Sequence, residues 1–218
     1  MPLLIALAVA AYLLGSLSGS LLIGRVRGVD IRRQGSGNAG GTNAFRTQGW
    51  RFALGVALID IGKGVLAAWL GMQAAAHAPA PFDSLYAQGA LCGFAAIVGH
   101  CWPVFFGFRG GKGAATAAGA VIVLAPALIL PVVAVWALSL IATGYVGLST
   151  IVAVCALALL AMTHAFVSAD AASTLTVFAL ATALLIVFTH RDNIVRLARG
   201  TEYRFEKARL LHRLMRRA

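Results

Sequence analysis

The run ASTLTVFALATALLIVFT, residues Ala172 to Thr189, carries no charge over eighteen residues and stops on His190-Arg191-Asp192-Asn193. At a helical rise of about 1.5 Å per residue it reaches about 27 Å, close to the hydrocarbon thickness of a bilayer. It reads as a membrane span, and the polar cluster behind it as the point where the chain leaves the lipid. Working upstream, Leu148 to Val167 has the same character, with Ser168 to Asp170 as the turn between the two. Residues 52–70 and 86–106 form another pair, joined by a Gly, Pro and Ala rich loop containing His77 and Asp83. Met1 to Ile23 reads as a first span rather than a signal peptide, because no basic segment precedes it and no small-residue cleavage site ends it. The whole chain agrees: of 218 residues, 60% are hydrophobic and only 11% charged, where a soluble domain has about a quarter charged. The mean hydropathy is +0.86. The expected fold is an all-α integral membrane protein, one polytopic domain over residues 1–218.

The net charge of +11 would point to nucleic acid in a soluble chain, but its distribution reports topology instead, and no nucleic-acid partner is expected. Arg25, Arg27, Arg32, Arg33, Arg46 and Arg51 form one zone, Arg109 and Lys112 a second, and nine basic residues between Arg191 and Arg217 a third. Only Lys63 lies elsewhere. The positive-inside rule places all three zones on the cytoplasmic side. Residues 113–147 then hold two short crossings that turn near Pro126 and Pro131, which predicts seven spans, the N-terminus outside and a basic cytoplasmic tail from about residue 190. Arg209 to Arg217 reads as a basic amphipathic tail against anionic lipid.

Each basic zone contains a polar motif. The first, GSGNAGGTNAFR from Gly35 to Arg46, crowds glycines, two asparagines and two hydroxyls beside an arginine. Such a loop can turn backbone N–H groups toward an anion, while Ser36, Asn38, Thr42, Asn43 and Arg46 add side-chain donors around Gly37. The second, GHCWPVFFGFRGGKG from Gly99 to Gly113, opens directly into Ala114-Ala115-Thr116. Gly110, Gly111, Lys112 and Gly113 resemble a phosphate loop before a helix N-terminus. It is not a Walker A loop, since Phe106 stands where the leading glycine belongs and Gly113 where Ser or Thr would hold magnesium. Alone, this short glycine pattern fits an ordinary interfacial turn equally well, and His100 alone fits a packed histidine. The third motif runs from His190 to Glu202, where His190, Asn193 and Arg196 or Leu197 recur at helical spacing and present an imidazole, an amide and a guanidinium on one face. Asp60 and Lys63, three apart within a span, read either as a structural ion pair or as support beneath the site. Cys92, Cys101 and Cys155 form no CxxC pair, and no His and carboxylate cluster points to a metal, so neither metal nor cofactor is expected.

Taken in order, these three motifs resemble the bacterial acyl-phosphate:glycerol-3-phosphate acyltransferase family, over essentially the whole chain. Trp102, Arg109 and Ala114 stand where that family usually has Phe, Lys and Val. The resemblance implies transfer of a fatty acyl group from acyl phosphate to the first hydroxyl of glycerol 3-phosphate, the opening step of phospholipid synthesis. A bacterial inner-membrane protein is expected, with its site facing the cytoplasm, and a monomer, although the sequence does not fix the oligomeric state. On the matching positions it implies an essential serine and arginine at Ser36 and Arg46, glycerol-3-phosphate binding by Gly110, Gly111 and Gly113 around Lys112, roles in activity for His190 and Asn193, and structural integrity for Glu202. Direct attack without an acyl-enzyme is expected, the proton going to His190 or to a substrate phosphate. The alternative from the residues alone is a transporter of a phosphate-bearing solute, although no internal repeat is found and the polar chemistry sits in loops.

Overall fold

The computed structural model describes residues 2–75, 85–163 and 169–205. The loop with His77 and Asp83, His164 and the tail Arg209 to Arg217 lie outside the described residues. Among these residues ten α-helices follow one another with two short 3-10 turns: α1 Pro2–Gly15, α2 Gly19–Val26, α3 Gly41–Gln48, α4 Trp50–Ala75, α5 Leu85–Cys101, α6 Ala114–Leu124, α7 Pro126–Thr143, α8 Val146–Met162, α9 Ala169–Thr189 and α10 Arg191–Ala198. Among the described residues there are no strands.

Among the described residues four helices, or helix and turn together, are long and apolar enough to cross a bilayer: Trp50–Ala75, Leu85–Phe106, Pro126–Thr143 and Ala172–Thr189. A fifth arises if α1 and α2 count as one span bent by 49°. The expectation of seven spans is thus corrected, because two of the expected crossings, α6 and α8, are too short. The segment 113–147 does not make two crossings, because α6 has 11 residues, about 16 Å of helix against a core of about 30 Å. Its break falls at Ala125, with Pro126 opening α7, while Pro131 lies inside that helix rather than at the turn. The first span is itself interrupted at Ser16 to Ser18, with Ser16, Ser18 and Ser20 all fully buried. Helix α8, at 17 residues, also stops short of the span-length helices.

The interruption is tolerated because its freed backbone groups find partners. Lys63 Nζ donates to Gly15 O at 2.7 Å and Leu17 O at 3.2 Å, and the Gly19 amide donates to Asp60 Oδ1 at 3.0 Å. A broken helix at membrane depth survives only when its carbonyls and amides are satisfied in this way.

The inner helices approach closely through small residues, the usual device where lipid tails remove the hydrophobic drive between helices. A Cβ on Gly64 of α4 would strike Thr116 O of α6, and one on Gly119 would strike Ile61 O in return. The core runs through α4, α5, α6, α8 and α9, with Ile97, Ala120, Leu124, Leu157, Phe178 and Ile186 at its centre. Outside, Leu54, Leu58, Leu130, Leu138 and Leu184 are exposed, the apolar coat a bilayer requires. Helix α7 is the most peripheral of the spans, with 6% of its window buried.

Candidate active site

The three motifs meet. A cleft of about 830 Å³ is lined by Ser36, Asn38, Thr42, Asn43 and Arg46 of the first, by His100, Lys112 and Gly113 of the second, and by His190, Asn193, Arg196 and Glu202 of the third. An adjoining cleft of about 380 Å³ shares Asn38 and Lys112 and adds Gly37, Gly110, Gly111 and Arg191. Asp60 reaches the floor of the larger cleft; Lys63 lines neither and lies beneath.

The first motif is held by Asn43. Its side chain is 1% exposed, its Nδ2 donates to Ile31 O, Gln34 O and Asn38 O at 2.9 to 3.0 Å, and its Oδ1 accepts the Ser36 amide at 3.0 Å. An amide so occupied has no donor left for a ligand. The expectation of Asn43 as a binding residue is corrected to a brace that shapes the loop around Ser36. Gly35 and Gly37 both take positive φ, 56° and 73°, and a Cβ on Gly35 would strike Asn43 Oδ1. Ser36 is left exposed.

Two helix N-termini open on this cleft. Gly40, Gly41 and Thr42 begin α3, and Gly113, Ala114 and Ala115 begin α6. Neither start is capped by a side chain, so their first amides are available to an anion. Gly113 adopts φ 91°, and a Cβ there would crowd Ile97 at 2.9 Å. The preceding turn is pinned by the Gly110 amide on Cys101 O and the Gly111 amide on His100 O, both 3.1 Å.

Cations complete the electrostatics. The Arg46 guanidinium stacks 3.8 Å from the Tyr203 ring centroid and 5.2 Å from that of Phe205, and its buried Nε has no partner among the described residues. Lys112 Nζ donates to Asn193 Oδ1. Asn193 Nδ2 in turn donates to Glu202 Oε1 at 2.7 Å, and Arg196 Nε reaches Glu202 Oε2 at 2.6 Å. Asn193 is therefore a bridge that aims Lys112, and Glu202 anchors both Asn193 and Arg196. Burial, with Arg196 nearby, lowers the Lys112 pKa to about 8. Arg191, at the adjoining cleft, stacks 4.7 Å from the Phe188 ring centroid.

His190 is 5% exposed. Its Nδ1 lies 2.8 Å from Ile186 O; a carbonyl can only accept, so Nδ1 carries the proton and Nε2 keeps the lone pair. Burial, reinforced by Lys112, lowers its pKa to about 4. Cross-links tie the motifs together: Arg32 is paired with Asp30 and donates to Phe106 O at 2.9 Å and Arg109 O at 3.2 Å, and Thr189 Oγ1 donates to Lys112 O at 3.0 Å. Among the described residues no three His, Cys, Asp or Glu side chains gather as metal ligands.

Sequence reasoning missed several lining residues. Val146, Gly147 and Thr150 of α8, and Tyr203 after α10, all line the larger cleft. The α8 residues sit within an apolar run and carry no local signal. Tyr203, one residue past the third motif, was within reach as an aromatic beside a basic cluster.

Comparison with known proteins gives this geometry a family. The sequence pattern described as "Glycerol-3-phosphate acyltransferase" matches residues 5–200. A glycerol-3-phosphate acyltransferase of Chlorobaculum tepidum is 40% identical, covering 94% of this chain and 97% of its own, and one of Chlorobium chlorochromatii is 39% identical, covering 92% and 96%. The crystal structure of PlsY (YgiH), an integral membrane glycerol 3-phosphate acyltransferase, superposes in its glycerol 3-phosphate form with a TM-score of 0.82 at 35% identity, covering 95% of this chain and 98% of that one. Its lysophosphatidic acid form gives 0.81 at 34% identity, covering 96% and 98%. The chain belongs to the glycerol-3-phosphate acyltransferase family of integral membrane proteins.

Proposed function

We propose that this protein moves a fatty acyl group from acyl phosphate to the sn-1 hydroxyl of glycerol 3-phosphate, releasing lysophosphatidate and inorganic phosphate. The observation that carries the proposal is the cleft where two side-chain-free helix N-termini, Arg46 and Lys112 converge. Both substrates bear a phosphate, and the cleft offers a cradle for each: the Ser36 loop with α3 and Arg46, and the Gly110 to Gly113 turn with α6 and Lys112. Family membership, with PlsY seen in glycerol 3-phosphate and lysophosphatidic acid forms, displaces the transporter alternative.

Acyl phosphate is a mixed anhydride with a good leaving group. The protein has mainly to hold two phosphate-bearing reactants at attack distance and to stabilise charge on the carbonyl oxygen and the departing phosphate. The glycerol hydroxyl attacks the acyl carbon directly, and the bond to phosphate breaks as the tetrahedral species collapses. The hydroxyl proton goes to a substrate phosphate rather than to His190, because a base with a pKa near 4 is poorly matched to neutral pH while a phosphate monoester titrates near 6. His190 then serves through the Nε2 lone pair as an acceptor that orients a substrate hydroxyl. In this reading the cleft faces the cytoplasm at a bacterial inner membrane and the protein acts as a monomer; the clustering of basic residues in the three motifs supports the cytoplasmic side.

The test is product formation by purified protein given glycerol 3-phosphate with acyl phosphate, acyl-CoA or acyl carrier protein in parallel. Lysophosphatidate from acyl phosphate alone is the expected result. Activity with a thioester instead would overturn the donor assignment.

A further inference from the structure

Beneath the glycine turn lie three ionisable side chains that the chemistry above leaves unused. Asp60, Lys63 and His100 are 1%, 4% and 2% exposed. Lys63 Nζ lies 2.7 Å from Gly15 O, 2.9 Å from His100 Nδ1, 3.0 Å from Asp60 Oδ1 and 3.2 Å from Leu17 O. His100 Nδ1 is also 3.3 Å from Asp60 Oδ1. These distances decide where the protons are. A neutral Lys63 would leave the Asp60 carboxylate buried with no cation beside it, so the lysine is an ammonium. With Lys63 charged, a protonated Nδ1 would face an ammonium 2.9 Å away, nearer than the Asp60 Oδ1 at 3.3 Å that could accept from it, so Nδ1 accepts from Lys63 and the ring proton sits on Nε2.

The Nε2 edge faces the cradle. A Cβ built on Gly111 would collide with Nε2, Cε1 and Cδ2 of the ring, and His100 lines the larger cleft. Among the described residues the polar contacts of the ring all run through Nδ1. A ring donor with no partner among the described residues thus lies where the Gly111 turn meets the larger cleft. We propose that His100 donates its Nε2–H to a phosphoryl oxygen of a bound substrate, and that Asp60 and Lys63 are positioning residues that fix the tautomer making this possible. The inference rests on the reading that the Gly110 to Gly113 turn holds a phosphate. A neutral donor there adds a directed hydrogen bond without adding to the charge already brought by Lys112.

The test is ¹⁵N NMR of the full-length protein labelled at histidine, with the His100 signals assigned by their loss in His100→Gln. The expected spectrum has Nδ1 unprotonated and Nε2 protonated; a protonated Nδ1, or a doubly protonated ring, overturns the inference whether or not the protein is active. On titration, an Nε2 shift with glycerol 3-phosphate assigns the acceptor phosphate, a shift with inorganic phosphate alone assigns the donor's, and no shift with either overturns the contact. Kinetics supply a second arm. His100→Gln keeps a donor near the Nε2 position, whereas His100→Asn keeps only an Nδ1-like group for Lys63. We expect Gln within about threefold of wild type and Asn raising the KM of one substrate by about tenfold or more. Equal losses in both variants with unchanged KM overturn the donor role. A wild-type protein that makes no lysophosphatidate from any donor refutes the proposed reaction, and the spectrum still decides the tautomer.

Discussion

Alanine at Gly111 puts the glycine turn to its sharpest test. The added methyl would occupy the space of the His100 ring edge, and the ring has nowhere to go. It is 2% exposed and held through Nδ1 by Lys63 at 2.9 Å. Rotating it would forfeit that bond and pull the imidazole off the buried Lys63 and Asp60 pair. The cheaper response moves the turn, which strains the 3.1 Å bonds from the Gly110 and Gly111 amides. Overpacking of this kind costs about 1 to 3 kcal/mol, and each neutral hydrogen bond about 0.5 to 1.5 kcal/mol net. The ligand feels the displacement most, because a backbone donor to a charged phosphate is worth roughly 1.5 to 3 kcal/mol. Losing one such donor raises KM for the phosphate-bearing substrate by about 10- to 150-fold. The assay is steady-state turnover at saturating acyl phosphate with glycerol 3-phosphate varied, alongside the thermal midpoint. Gly62→Ala is the control, since nothing lies within 4 Å of its Cβ position. If Gly111→Ala keeps KM within about twofold and the midpoint unchanged, the close approach of this backbone to a phosphate is refuted.

Four further outcomes follow from the same geometry. His190→Gln should lower turnover yet leave the pH profile between about 5.5 and 7.5 unchanged, because the imidazole, held near pKa 4, is already neutral there; loss of a limb near pH 6 would make His190 the base. Lys112, lowered to about 8, is charged below that pH and loses its charge as pH rises through it, so kcat/KM should fall above about pH 8. Lys112→Arg should move that fall beyond the range; a wild-type profile flat to pH 9.5 would contradict the assignment. Tyr203→Leu removes the ring 3.8 Å from Arg46 and should weaken substrate binding by about 3- to 30-fold, from a cation–π term of about 0.5 to 2 kcal/mol. Tyr203→Phe should restore it, and equal losses in both would point to the hydroxyl instead. Glu202→Gln unpairs Arg196 and weakens the hold on Asn193. Because the Arg196 side chain is 37% exposed, its cost is discounted to about 1 kcal/mol, read as a thermal midpoint lower by a few degrees, with kcat falling more than stability as Lys112 loses its guide.

Much of the site was legible because its residues are unusual for their setting. Glycines, asparagines and arginines between apolar runs have no business in lipid, and His190, Asn193 and Arg196 sit at the spacing that puts them on one face. What each does was less legible. Asn43 looked like a ligand donor and is a loop brace, since a side-chain amide serves either purpose and only its neighbours decide which. Asn193 likewise spends its amide on Lys112 and Glu202. His100 looked like packing because its partners, Asp60 and Lys63, lie on another helix about forty residues away.

The chain alone determined that the protein lives in a bilayer and that its polar chemistry clusters in three motifs, because burial in lipid is set by composition summed over a local window. Tertiary structure alone decided where spans break and which donors remain free. Hydropathy admits an unbroken helix through Ser16 to Ser18, but the break there depends on Lys63 and Asp60 reaching Gly15, Leu17 and Gly19. The end of α6 at Ala125 is different, because Pro126 already marks it in the sequence. A hydrogen bond between residues far apart in the chain leaves no trace in a local pattern, and those bonds set both the shape of the cleft and the protons inside it.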